Sequence, residues 1–74
     1  MARLRPLPYR EVRRKLEVAG FVEHSQRGSH VKFVRTDPEG ARVVIVPRHS
    51  EVRVGTLRSI LNQAGLTPDE FERL

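Results

Sequence analysis

Cysteine is missing from this chain, and disulfide staples, thiolate nucleophiles and cysteine-rich zinc sites are excluded with it. Stability must come from packing and caps. Long apolar runs are missing too: nowhere does the chain approach the roughly 18 apolar residues of a membrane-spanning helix. Met1-Ala2-Arg3-Leu4-Arg5-Pro6 mixes charge with proline where a secretory leader would carry its apolar core, so a cytoplasmic location is expected. The 74 residues predict one domain over 1–74. A chain of this size buries only about 60% of the surface its unfolded form exposes, which leaves no room for a deep substrate cleft.

Basic charge is plentiful. Fourteen Lys and Arg, all but two of them Arg, stand against nine acidic residues, giving a net charge of +5 and a pI near 11.1. Such a balance is the footprint of a phosphate-rich partner, and Arg suits bidentate phosphate contacts. An acidic protein surface would satisfy the same charge.

Along the chain, apolar residues recur with helical spacing from Pro8 to Ala19, where Tyr9, Val12, Leu16 and Ala19 share one face. Gly20 then permits a left-handed stop, with Phe21 folding back on Leu16 as in a Schellman cap. Three strand-like segments follow, at about Phe21 to Gln26, Ser29 to Thr36 and Arg42 to Pro47. Asp37-Pro38-Glu39-Gly40 carries the type I turn residues in order. A second helix over Gly55 to Ala64 presents Leu57, Ile60, Leu61 and Ala64 as a core stripe. Thr67-Pro68-Asp69-Glu70 is a capping box opening a short last helix, with Leu66 and Phe71 as its staple. The fold class is α+β, in the order α-β-β-β-α plus a short C-terminal helix. Each main helix has one apolar stripe, so both are expected on one face of a three-stranded antiparallel sheet, leaving the other face open.

A first hairpin closing through Arg27 and Gly28 pairs Gln26 with Ser29, Ser25 with His30, His24 with Val31, Glu23 with Lys32 and Val22 with Phe33. Val22, Val31 and Phe33 then face the helices. Glu23, Lys32, Ser25 and His30 occupy the open face, and so do Val34, Val43 and Ile45. His30 is the residue of greatest chemical interest, because an imidazole with an unperturbed pKa near 6.5 can take and give protons around neutrality. It follows a tight turn and has Lys32 two residues along on the same face. His24 falls at the sheet margin and His49 on the loop after Pro47; neither has a partner at zinc-ligand spacing, so no metal or other cofactor is expected.

The chain resembles the HicA mRNA interferase toxins, also described as YcfA-like. The resemblance rests on Ala19-Gly20-Phe21, then Arg27-Gly28-Ser29-His30 with Phe33, then Val46-Pro47 with His49, and finally Gly55-Thr56-Leu57-Arg58-Ser59-Ile60-Leu61 with Gln63-Ala64-Gly65-Leu66. Their order and spacing span nearly the whole chain. Two departures are a few additional residues before the first helix and a short Ser50 to Val54 loop without lysines.

The resemblance implies a fold like the double-stranded-RNA-binding domain and a metal-independent endoribonuclease acting on mRNA. It further implies the toxin role in a type II toxin–antitoxin stress-response system, with a HicB-type antitoxin covering the catalytic histidine, which maps onto His30. The residues are compatible with that chemistry: a neutral imidazole can accept a ribose 2′-OH proton while cations neutralise the phosphorane. Lys32 is the expected electrostatic helper. Arg10, Arg13, Arg14, Arg27, Ser29, Arg35, Arg48 and Arg53 are the candidate RNA contacts. One alternative is a non-catalytic RNA-binding module on the same fold, and another is a protein-interaction domain using Val34, Val43 and Ile45. A DNA-binding helix-turn-helix is disfavoured by Asp69, Glu70 and Glu72 on the last helix.

Overall fold

The computed structural model describes residues 2–74. Its elements run α1 (Tyr9–Val18), β1 (Val22–Arg27), β2 (His30–Asp37), β3 (Gly40–Pro47), α2 (Val54–Ala64) and α3 (Pro68–Glu72). The strands form an antiparallel sheet in the order β1-β2-β3. All helices lie on one side of it, and the molecule measures 30 × 29 × 17 Å.

The helical stripes meet the inward sheet residues in a single core. Tyr9, Val12 and Leu16 of α1 and Leu57, Ile60, Leu61 and Ala64 of α2 pack with Val31, Phe33, Val44 and Val46. Both main helices end as their sequences dictate. Gly20, at φ 96°, lets Phe21 N–H reach Leu16 O at 2.9 Å and Gly20 N–H reach Glu17 O at 3.0 Å, which is the Schellman pairing. Gly65 repeats the device for α2, with Leu66 N–H on Leu61 O. The Thr67 capping box forms with both of its hydrogen bonds. Ahead of α1 the chain is strapped to the loop before α2 by a two-way bridge between Leu7 and Val52. Among the described residues no helix is long and apolar enough to cross a membrane.

The first hairpin departs from the predicted register. Its turn is Gly28-Ser29, one residue later than expected, so Arg27 pairs with His30, Gln26 with Val31 and Ser25 with Lys32. Gly28 has φ 59° and Ser29 is not in the positive-φ region, the pattern of a type II′ turn, which wants glycine at its first central position. Moving the turn by one residue shifts the pairing by two, which preserves faces, so His30, Lys32 and Ser25 remain on the open side. A β-bulge at His24 then adds one residue to β1, giving Glu23↔Phe33 and Val22↔Val34. Beyond the bulge the faces are exchanged. Val22, expected in the core, is 67% exposed, while Glu23 turns to the helix side and meets Arg13 at 3.6 Å instead of Lys32.

Candidate functional site

The open face of the sheet carries the site. His30 begins β2 directly after the Gly28-Ser29 turn, with Arg27 opposite on β1 and Pro47 opposite on β3. The next outward residue on β2 is Lys32, flanked by Ser25 and Ile45. Ser25, Gln26, Arg27, His30, Lys32 and Ile45 together line a shallow depression on this face. His30 is exposed and Lys32 half-buried. Because the bulge draws Glu23 away, Lys32 has no carboxylate within ion-pair distance among the described residues, and the same is true of Arg27.

Farther along the face, Val22, Val34 and Val43 stand side by side across the three strands. Val43 and Ile45 are 41% and 39% exposed, so an apolar row borders the charged depression. Val34, Val43 and Ile45 therefore lie on the open face, as the alternation predicted.

The remaining arginines divide by location and by company. Arg10 opens α1 and Arg53 precedes α2, next to the Leu7–Val52 strap, and neither is paired with a carboxylate among the described residues. The α2 N-terminus has no side-chain cap and no acidic residue in its first turn, so its free N–H groups add partial positive charge at that end. Arg13 is engaged by Glu17 and Glu23, and Arg14 by Glu11 at 2.6 Å. These hydrogen bonds hold the Glu11 carboxyl below its ordinary range and push the two guanidiniums up.

Arg35 belongs to the far end of the sheet. It points to the helix side, lies over the Phe21 ring at 4.7 Å, and donates to Ala19 O and to both Asp37 carboxylate oxygens. That contact, with help from Arg42, lowers the Asp37 pKa. The structure does not bring Arg35 to His30. Arg48 does reach the His30 turn: its Nη1 donates to Gln26 Oε1 at 3.1 Å and its guanidinium lies over Tyr9, 5.4 Å from the ring centroid. Tyr9 and Gln26 were not singled out by sequence, where Tyr9 was one residue of a core stripe and Gln26 a strand end.

His24 sits at the bulge and His49 on the loop after β3, both exposed. Among the described residues no three His, Asp or Glu side chains converge as a metal site requires.

A family model described as the HicA toxin of bacterial toxin–antitoxin systems matches residues 9–66. The chain belongs to the HicA toxin family. No individual curated protein matches it. The matched span begins with the first residue of α1 and ends just beyond the α2 cap, so it takes in the whole sheet and both main helices. Membership makes this HicA chain the toxin of a toxin–antitoxin pair, with an antitoxin as its partner. The Leu7 strap and α3 are what this HicA chain adds outside the matched span.

Proposed function

We propose that this toxin is an endoribonuclease that cleaves mRNA without a metal, with His30 as general base. The observation that carries this reading is an exposed imidazole on the open face, beside a lysine and an arginine that no carboxylate among the described residues neutralises. The ring nitrogen takes the proton of a ribose 2′-OH, the 2′-oxygen forms a bond to the adjacent phosphorus, and the bond from phosphorus to the 5′-oxygen breaks. The products are a 2′,3′-cyclic phosphate and a 5′-hydroxyl, whose proton comes from water. Lys32 and Arg27 lie where they can offset the negative charge that builds on the phosphorane. Arg10, Arg53 and Ser29 supply contacts to the RNA backbone at the same end of the molecule, and loose sequence preference follows from backbone recognition. A HicB-type antitoxin that covers His30 would also bury the Val22–Val34–Val43 row, which gives it an apolar anchor beside the charged depression.

Cleavage and binding measured separately on purified His30→Ala test the assignment. The expected result is a loss of about 10²–10⁴-fold in cleavage with RNA affinity retained. A substrate carrying 2′-deoxy sugars should bind and stay intact. Full-rate cleavage by His30→Ala, or normal cutting of the deoxy substrate, overturns the mechanism. Binding without cleavage by the wild-type chain would instead favour the non-catalytic RNA-binding module.

A further inference from the structure

The turn that presents His30 is tied down from behind. Gly28 and Ser29 form a two-residue loop at the edge of the sheet, and both of their carbonyls are engaged. Gln26 Nε2 donates to Gly28 O at 2.9 Å, and Arg48 N–H donates to Ser29 O at 2.6 Å. His30 and Pro47 form a non-hydrogen-bonded pair, with the Pro47 nitrogen directed away from β2 as the Ile45 N–H is, and the Arg48 amide makes the last backbone tie of the β2–β3 ladder. The Arg48 side chain then links the two carbonyl ties by donating to Gln26 Oε1, and its guanidinium rests on Tyr9 of α1. Tyr9 is only 9% exposed and its hydroxyl is buried without a protein partner, so the ring is held by packing and by the cation above it. Gln26 pairs with Val31, so its side chain leaves β1 on the helix side of the sheet, while its place on the strand still borders the depression that holds His30.

We infer that Arg48, Gln26 and Tyr9 form a clamp that fixes the Gly28-Ser29 turn and so sets the position of the His30 imidazole; Arg48 and Gln26 are positioning residues. The inference rests on His30 being the general base. Three elements converge on the clamp, since Gln26 comes from β1, Arg48 from the end of β3 and Tyr9 from the first turn of α1. A two-residue loop with glycine at positive φ would otherwise be the least restrained part of the sheet. Small displacements of a catalytic group reduce turnover steeply while leaving substrate affinity in place. Arg48 is therefore distinguished from an ordinary phosphate contact by how its loss divides between kcat and KM.

The test uses the full chain with three single variants, Gln26→Ala, Arg48→Ala and Arg48→Lys, and the double variant Gln26→Ala with Arg48→Ala, with RNA cleavage kinetics and backbone NMR order parameters read together. Gln26→Ala changes no charge, so its effect does not pass through lost Coulomb attraction to the RNA, and an unchanged KM separates it from a lost hydrogen bond to phosphate. It should lower kcat about tenfold with KM within about twofold, and lower the order parameters of residues 28–30 while those of residues 43–46 stay at wild-type values. Arg48→Ala should do the same, and the double variant should fall no further than either single one, because both remove the same restraint. Arg48→Lys keeps the charge but not the planar fork, so it should not rescue kcat.

Wild-type order in the turn of Gln26→Ala and Arg48→Ala overturns the clamp. A loosened turn with unchanged kcat overturns the positioning role. A rise in KM alone for Arg48→Ala, rescued by lysine, makes Arg48 a phosphate contact instead. If His30→Ala cleaves at full rate, the base assignment fails, and the order parameters alone decide whether the clamp exists.

Discussion

At the scale of single residues, Gly28 shows how much rests on one dihedral. Its φ of 59° is open to glycine and strained for other residues, yet a Cβ there would meet nothing within 4 Å. Gly28→Ala should therefore destabilise the fold by about 1–3 kcal/mol through backbone strain alone. Urea denaturation is the check, and an unchanged midpoint would show that the turn accommodates alanine by changing type. The Gly-Ser pair was legible as a II′ turn, because glycine at the first central position followed by serine is one of its signatures. Reading Arg27-Gly28 as the loop instead put glycine second, and the pairing slipped by two. His30 kept its face because the slip was even; Glu23 and Val22 lost theirs because the bulge at His24 made it odd beyond that point. No residue type at His24 announces a bulge.

At the scale of elements, the stop signals proved local and readable. Both glycine caps and the Thr67 capping box formed where their residues stood, since each depends on contacts a few positions apart. The junction of α1 with β2 could not be read that way. Charge alone makes Arg35 a candidate RNA contact, but it caps Ala19 O, covers Phe21 and binds Asp37, which ties the α1–β1 connection to β2. Hydrogen bonding from Arg35, the chief cause, depresses the Asp37 pKa. Stability from this pair is then present above the unfolded-state value near 4 and is lost as pH falls through the lower folded value. Asp37→Asn should lower the urea midpoint at pH 7 and flatten the decline in stability below about pH 4. An acid limb identical to wild type would mean that other carboxylates, such as Glu11 and Glu70, carry it.

At the scale of the whole molecule, charge is divided between the two ends. Glu11, Glu17, Glu23 and Asp37 are consumed by Arg13, Arg14, Arg35 and Arg42 along α1 and at the far sheet end. The cations left unpaired near the His30 turn include Arg27 and Lys32, with Arg10 and Arg53 beside the Leu7–Val52 strap. If all four meet phosphates, the logarithm of RNA affinity should fall with the logarithm of salt with a slope of about −3, and each Arg→Ala change among them should remove about 0.7. Fluorescence titration at several salt concentrations measures this, and a slope near zero would exclude the electrostatic reading. Arg13→Ala should leave the slope nearly unaltered, because Glu17 and Glu23 already occupy its guanidinium.

Periodicity, caps and turn residues were enough to determine the order of elements, the core stripes and the accessibility of His30, because each follows from interactions within one helix turn or from strict alternation along one strand. Tertiary structure alone decided which residues stand across from one another. The bulge that frees Lys32, the diversion of Glu23 to Arg13 and the meeting of Tyr9, Gln26 and Arg48 behind the turn all join residues distant in sequence. Alternative registers satisfy the same local preferences, and the choice among them falls to packing across the whole sheet and against the helices.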